Sequence, residues 1–318
     1  MRIITLLTIV LTVLIINTTL FAQEGGGMQF LTIGPDATSL AVSEAHTALD
    51  LGASSLFINP ANLRFRTQNE FSLSHSLWIG ETQNTQASFL FDDNNQTFGV
   101  GLRTSVIGDI EARTTPGEAT GLFNVRYLSI AGAYARSLGS VNLGVTAMYL
   151  NEQLFEQTAS GYGINVGIST SLLQDRIRTG AAITNIGEMD KLAELSSPLP
   201  TAFRAGIAAD VIQFSIYDSD EIPLLISLSS DFVIPMQDFN ISDDNSAIAP
   251  DDFYFTMGLG VEIAELITIY SGYRTGNTTR PLSFGAAINA SMLTFNYAFV
   301  PFDTGFGSTH TISVSYRL

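Results

Sequence analysis

Residues 141–150, VNLGVTAMYL, decide the fold. Apolar side chains occupy every second position here, and the positions between them are mostly small or polar; the apolar set is Val141, Leu143, Val145, Ala147 and Tyr149. Successive side chains of a β-strand point to opposite faces, so this period predicts a strand with one apolar and one polar face. Segments of about ten residues with the same alternation recur from Asn69 onward, which is typical of a membrane β-barrel.

The charges follow the same alternation. Four of them fall on the polar parity of their segments: Arg103, Arg204, Asp231 and Arg274. A charge on the lipid face at mid-membrane costs about 2–4 kcal/mol, so the polar parity is predicted to face the lumen, and an arginine at Thr146 is expected to be tolerated. Arg126 and Arg136 share the apolar parity of their segment but stand at its two ends, where an arginine can reach the interface.

Composition narrows the class of protein. The 318 residues are 46% hydrophobic and 14% charged, with a net charge of −16 and no cysteine. The acidic balance excludes a nucleic-acid-binding protein, because phosphate contacts need clustered basic residues. Residues 1–22 are predicted to be a cleaved signal peptide. No later segment reaches the ~18 apolar residues of a spanning helix, so an exported apolar chain favours a closed barrel.

The spacing of the segments predicts about 14 antiparallel strands in residues 69–318, an even number as bacterial barrels require. Long outer connections are predicted near residues 107–123, 150–160 and 233–252, and short turns at the inner end. The final segment, HTISVSYRL (residues 310–318), also alternates. It is expected to pair with the first strand and close the barrel, leaving no sheet edge.

Residues 23–68 have a different pattern. PDATSLAVSEAHTALDLGASSLFINPANLRF (residues 35–65) contains helix formers and no strand alternation. We predict that residues 23–68 form a hatch inside or beneath the barrel. Its candidate motif is Asn59, Pro60, Ala61 and Leu63. An Asn-Pro pair favours a structural turn, and the alternative is a turn that fixes the hatch beside a lumen or a lateral opening.

The histidines and the acidic pairs are the remaining candidates for a catalytic or metal-binding site, and neither set has the spacing of one. Ser74 and Ser76 flank His75 but alternate with it across the strand, and His46 and His310 lie in other segments, so no catalytic triad is predicted and the protein is not expected to be an enzyme. Acidic pairs such as Asp92-Asp93 and Asp251-Asp252 lack the spacing of a calcium loop. Solvated loop tips are the favoured interpretation, and no metal or cofactor is predicted.

Three stretches resemble one family of outer-membrane proteins. QFLTIGPDATSLAVSEAHTAL (residues 29–49) together with ASSLFINPANL (residues 53–63) resembles the N-terminal region of the PorV/PorQ family. LSHSLWIGETQNTQASF (residues 73–89) is similar to that family's first hairpin, and residues 296–318 to its terminal hairpin. The departures are Ala41-Val42-Ser43-Glu44 in place of Gly-Met-Gly-Gly, and Asn62 in place of glycine.

The resemblance implies a barrel related to the FadL group of 14-stranded channels, placed in the outer membrane of a Gram-negative bacterium. It also implies a docking or shuttle role in type IX secretion, with secretion-system subunits or secreted cargo proteins as partners. The outer connection at 233–252 is the predicted contact because it is long and carries apolar residues; the candidates are Ile234, Met236, Phe239, Ile241, Asp243 and Asp244. The alternatives are a FadL-like channel with a hydrophobic ligand and a purely structural barrel.

Overall fold

The computed structural model describes residues 27–112, 121–192, 195–215, 223–236, 253–277, 279–303 and 305–318. The strands are β1 (Glu70–Leu77), β2 (Thr82–Asp93), β3 (Gln96–Ala112), β4 (Gly121–Leu138), β5 (Val141–Leu154), β6 (Gln157–Leu172), β7 (Ile177–Leu192), β8 (Leu195–Pro198), β9 (Ala202–Ser215), β10 (Pro223–Pro235), β11 (Tyr254–Ile263), β12 (Ile267–Arg274), β13 (Leu282–Ala290), β14 (Leu293–Pro301) and β15 (Ser308–Arg317). Before β1 lie one α-helix, α1 (Ala37–Ala41), and three 3₁₀ segments, Gln29–Thr32, Gly52–Phe57 and Pro60–Phe65. Among all the residues that the structure describes, no helix is both long and apolar enough to cross a membrane.

All strands except β8 form one closed antiparallel ring, so the predicted 14-stranded barrel is confirmed. The ring closes where β15 pairs with β1, with Leu73 opposite Val314. β8 stands outside the ring because it pairs only with the end of β7, and β9 takes over the partnership with β7 at Thr184.

The two faces of the wall alternate as predicted. Val145 is 42% exposed on the outer face, whereas its neighbour Thr146 is fully buried in the lumen. Arg103, Arg204 and Asp231 are all buried on the lumen side. Arg126 and Arg136 are exposed on the outer face, as their parity indicates. The alternation therefore separates a lipid-facing surface from an interior that other residues fill.

One predicted outer connection is wrong. Residues 150–160 are not a long loop, since β5 continues to Leu154 and β6 begins at Gln157. β4 is also long, with 18 residues. At ~3.3 Å per residue and a tilt of ~40° such a strand spans about 45 Å, more than the apolar band of about 25 Å. Because the opposite ends of these strands join in tight turns, the excess length projects from the outer end.

The described part of the hatch fills the lumen. Residues from its 3₁₀ segments, including Phe30, Leu56 and Leu63, pack on lumen-facing side chains of the wall such as Met148 and Leu150. The Thr146 hydroxyl donates a hydrogen bond of 2.7 Å to the carbonyl of Leu56. The hatch thus occupies the space that an arginine at Thr146 would need, contrary to the expectation from parity alone.

The alternation of faces can be tested with two arginine substitutions. Val145→Arg places a charge on the lipid face and is expected to reduce barrel stability by about 2–4 kcal/mol if Val145 lies at mid-bilayer. Asn289→Arg, on β13, faces a wide polar cavity near Glu262 and Glu265 and should be tolerated. Heat-modifiable migration on gels measures the folded fraction of each variant. Equal damage from both substitutions would contradict the assignment of faces.

Candidate functional site

Asn59 ties the hatch to the barrel wall. Its side-chain Oδ1 accepts a hydrogen bond from the backbone N–H of Ala61 at 3.2 Å, which caps the 3₁₀ segment Pro60–Phe65. Its Nδ2 donates to the carbonyl of Thr47 at 3.0 Å and to that of Ile168, on β6, at 3.2 Å. One amide therefore caps a turn, joins two parts of the hatch and contacts the wall.

Pro60 and Ala61 of the predicted hatch motif pack so closely on the wall that no side chain fits between them and the strand. A Cβ atom on Gly144, in β5, would lie 2.3 Å from the backbone N of Ala61 and 2.3 Å from the carbonyl carbon of Pro60. Glycine at this position lets the turn approach the strand backbone. Ala61 and Leu63 are both fully buried. The motif is built as a structural turn seated on β5.

A second, strained turn follows α1. Ser43 and Glu44 both have left-handed backbone conformations, with φ of 51° and 65°. Such conformations cost non-glycine residues free energy, roughly 1 kcal/mol or more each, and persist only where the surroundings enforce them. The Ser43 N–H donates to the hydroxyl of Ser283 on β13 at 2.9 Å, and the two serine hydroxyls are 2.8 Å apart. The wall thus holds the turn that carries Glu44.

Glu44 is the centre of an ion-pair cluster inside the barrel. Its Oε2 is 2.8 Å from Nη1 of Arg274 and 3.3 Å from Nη2 of Arg280, and its side chain is 2% exposed. Burial by itself raises the pKa of Glu44, but Arg280 and Arg274 outweigh burial and lower it to about 2. The carboxylate is therefore charged at neutral pH and pairs the hatch with β12 and with the β12–β13 connection.

A second buried ion pair lies beside the first. Asp231 on β10 accepts hydrogen bonds at Oδ2 from Arg204 Nη2 at 3.2 Å, from the Thr47 hydroxyl at 2.6 Å and from the backbone N–H of His46 at 3.0 Å. Arg204 also donates to the carbonyl of Glu44 at 2.7 Å. Wall side chains therefore hold the carbonyl of Glu44 and the backbone N–H groups of His46 and Thr47.

His46 lies inside this cluster as a neutral ring. It is 1% exposed, and its Nδ1 is hydrogen-bonded to the hydroxyl of Ser39. Its Nε2 has no partner in the part of the chain that the structure describes. Burial, together with the nearby positive charge of Arg204, lowers the pKa of His46 well below its ordinary value. A proton on His46 would therefore oppose hatch docking.

Two cavities flank the hatch. The inner vestibule has a volume of about 720 Å³ and is lined by residues near the tight-turn end of the barrel, among them Asp36, Glu70, Glu262, Glu265 and Arg317. The outer cavity, about 120 Å³, is lined by hatch residues, by residues near the outer ends of strands and by three arginines; its lining includes Leu31, Phe57, Ile58, Pro200, Pro235, Tyr254, Arg204, Arg274 and Arg280. The turn and ion pairs around Glu44 share their arginines with the outer cavity.

The other predicted candidates are scattered. His75 and His310 lie on the exposed outer face near the β1–β15 seam, apart from His46. Ile234 belongs to β10, where it pairs with Phe203, rather than to the following loop, and Met236 donates its N–H to Thr201. Phe239, Ile241, Asp243 and Asp244 lie outside the described residues, as does the pair Asp251-Asp252. In the described part of the chain, no group of histidines and carboxylates could hold a metal ion.

Sequence reasoning missed the ion-pair cluster. The strand alternation predicts that Arg204, Asp231 and Arg274 face the lumen. It gives no partner for them: Glu44 is notable in the sequence only as part of a departure from the family's Gly-Met-Gly-Gly run, and Arg280 is not singled out at all. Their meeting depends on which strands face the hatch across the lumen, and local periodicity does not carry that information. The available signal was the charge itself, because a buried charge requires a partner.

The protonation of His46 predicts a pH dependence of hatch docking. A hatch released from the lumen binds a proton on His46 near pH 6.5, whereas the docked hatch does not, so docking should weaken as pH falls below about 6.5. The chain has no cysteine, so maleimide labelling of a single Ala45→Cys reporter, at a fully buried position, measures release.

The matched variant His46→Gln should lose this part of the pH dependence. The difference between the two proteins isolates His46, because Asp36, whose pKa burial raises, titrates in both. Identical pH profiles would contradict the assignment of His46 as the titrating group.

The comparisons with known proteins concern the fold. No protein-family model matches the chain, and no curated protein matches its sequence. The toluene transporter TbuX of Ralstonia pickettii is 14% identical, with a TM-score of 0.54 over 90% of this chain and 98% of that one. The CymD monoaromatic hydrocarbon channel is 13% identical, with a TM-score of 0.56 over 90% and 98%. A deltaS2 mutant of the TodX monoaromatic hydrocarbon channel is 12% identical, with a TM-score of 0.56 over 89% and 98%.

Identities this low establish the architecture rather than a shared activity. Each similarity extends over nearly the whole length of the solved chain and about nine-tenths of this one. The closed ring of 14 strands described above agrees with them. The protein shares the closed antiparallel β-barrel fold of these solved transporters and channels.

Proposed function

We propose that this protein is an outer-membrane channel for hydrophobic solutes. The observation that carries the proposal is an apolar cluster on one side of an otherwise polar lumen. Most lumen-facing positions of the wall are polar or small, as in a water-filled porin. The wall also directs a few large apolar side chains inward against the hatch, namely Leu90, Met148, Leu150 and Met189. Solved barrels of similar fold are a toluene transporter and monoaromatic hydrocarbon channels, which supports the same class of solute.

The outer cavity leads toward this apolar lining. Leu31 and Phe57 belong both to the outer cavity and to the apolar cluster that the hatch forms with the wall. A hatch that withdraws from the wall would leave apolar surface for a solute to follow. The methionines suit this role, because an unbranched thioether side chain adapts to irregular ligands.

The hatch is the barrier to passage. Its described residues separate the outer cavity from the inner vestibule. Apart from the peptide connection to β1, hydrogen bonds and ion pairs hold them to the wall. Polar contacts of this kind can exchange with water once the hatch shifts, since their net worth is only about 0.5–3 kcal/mol each. Passage therefore requires the hatch to move within the barrel.

A reversible disulfide lock tests this requirement. Ser43→Cys with Ser283→Cys replaces two hydroxyls that are 2.8 Å apart in hatch and wall, in a chain that has no other cysteine. In vesicles with a lipopolysaccharide outer leaflet, which slows the unaided entry of toluene, the oxidised variant should lose toluene entry, and dithiothreitol should restore it. Entry at the same rate into vesicles with the oxidised protein, with the reduced protein and without protein would overturn the channel.

The control places the same chemistry within the wall. Ser76→Cys with Thr311→Cys joins two directly paired residues of the β1–β15 seam, whose hydroxyls are 2.7 Å apart, and leaves the hatch free. Oxidation of this variant should leave toluene entry unchanged. Loss of entry in both variants would mean that the effect comes from stiffening the barrel rather than from holding the hatch.

Docking of secreted proteins is the second candidate function. It is favoured by the outer edge of the barrel, where the ends of β4 and β5 project beyond the apolar band. Leu122 and Phe155 are 64% and 59% exposed at the outer ends of β4 and β5. Phe123 packs edge-on against Phe155 at 5.8 Å. Strand ends that project beyond the apolar band place these side chains in water unless a partner covers them, and exposed apolar patches mark protein contacts.

The docking candidate is tested by making that edge polar. Leu122→Asn with Phe155→Asn should leave the barrel folded, and asparagine suits the left-handed φ of 55° at residue 155. If docking is the function, gentle purification should recover less secretion-system subunit or cargo protein with the variant than with the unmodified protein. Unchanged recovery of every partner would remove this edge as the docking site.

A further inference from the structure

The outer cavity is positively charged in a strongly acidic protein. Among the described residues that line it are Arg204, Arg274 and Arg280, with no aspartate or glutamate. The chain as a whole carries a net charge of −16. The inner vestibule has the opposite character, with five carboxylates and two arginines in its lining. Three of the few basic residues of this chain are therefore gathered at one small cavity.

The arginines retain donor capacity. Among the described residues, the buried Nε of Arg274 has no hydrogen-bond partner. Its guanidinium lies 3.9 Å from the ring centre of Tyr254, which holds it in place. Arg280 lies over the ring of Trp78 at 5.4 Å. Arg204 is buried against Asp231, and Arg274 and Arg280 are partly buried against Glu44, so three arginines share two carboxylates beside this cavity.

The size and lining of the cavity select a small amphipathic molecule. Its volume of about 120 Å³ is close to that of a cavity of about 150 Å³ that holds benzene. Leu31, Phe57 and Ile58 supply apolar lining, and the arginines supply charged lining. One ring or a short alkyl chain with one anionic group satisfies both kinds of lining.

We propose that the outer cavity binds a small organic carboxylate and that this carboxylate takes the place of Glu44 on Arg274 and Arg280. The inference rests on the proposed channel function and gives it a ligand class. Glu44 occupies these guanidinium groups from the hatch side, while the cavity reaches them from the outer side. A ligand carboxylate makes the same charge-assisted hydrogen bonds. Its binding therefore weakens the ion pairs that hold the strained Ser43–Glu44 turn.

Benzoate and toluene test the charge requirement, because they share a ring and differ in the carboxylate. Calorimetric titration of the detergent-purified protein should show benzoate binding at one site. The acidic inner vestibule should not bind benzoate. Benzoate should also change the fluorescence of Trp78, the sole tryptophan, which Arg280 covers. Toluene at equal concentration should leave that fluorescence unchanged.

Two variants and a control assign the site. Arg280→Gln should weaken benzoate binding at least tenfold, whereas Glu44→Gln, which removes the internal competitor, should strengthen it. Arg136→Gln changes an exposed arginine on the outer face and should have no effect. Heat-modifiable migration verifies folding, and Arg274→Gln replaces Arg280→Gln if the latter fails to fold. No benzoate binding by either the unmodified protein or Glu44→Gln would overturn the proposal.

The coupling to the hatch has its own measurement. Benzoate should speed maleimide labelling of the Ala45→Cys reporter, and toluene should not. Binding of benzoate that is unaffected by Arg280→Gln, or that leaves labelling unchanged, would also overturn the proposal. The channel function is judged separately by toluene entry through the disulfide-locked protein, so that the channel and the carboxylate site can each fail while the other stands.

Discussion

A carboxylate buried within a barrel must have cationic partners at hand, and the position of Glu44 imposes this constraint on the whole interior. Leaving such a charge unpaired costs several kcal/mol, so the hatch docks only where Arg274 and Arg280 converge. The strained backbone at Ser43 and Glu44 follows from that docking. So does the placement of α1, which packs beside Ala298 and Val300 of β14.

The same constraint explains why one part of the lumen is polar and another part is apolar. The hatch is mostly irregular backbone, and every N–H and carbonyl that it buries needs a partner. Side chains of the wall supply many of these partners. In the opposite direction, Asn59 of the hatch donates a hydrogen bond to the wall carbonyl of Ile168. Where the 3₁₀ segments satisfy their own backbone, the wall can offer apolar side chains instead, and the apolar cluster around Leu56 and Met148 results.

The sequence predicts the wall well because the information is local. Two-residue periodicity in segments such as residues 141–150 states which side chains face lipid, and the number of segments predicts the ring. The end of β5 at Leu154 was misplaced because polar residues there continue a ladder beyond the apolar band. The cluster around Glu44 could not be predicted, since β10, β12 and the hatch approach one another only after the ring has closed. The outcome for Thr146 has the same origin: parity identifies the lumen side but not what fills it.

The β1–β15 seam has a consequence for assembly. Its lumen side is a column of paired hydroxyls, with Ser74 and Ser76 bonded to Ser313 and Thr311. Ser313 also accepts a hydrogen bond from the N–H of Ala37, at the start of α1. The strand that completes the ring therefore also receives the hatch, although more than two hundred residues separate them along the chain. Contacts so distant in sequence form slowly. Closure of the ring and docking of the hatch are therefore coupled, because the strand that closes the barrel also supplies a hydrogen-bond acceptor to the first residue of α1.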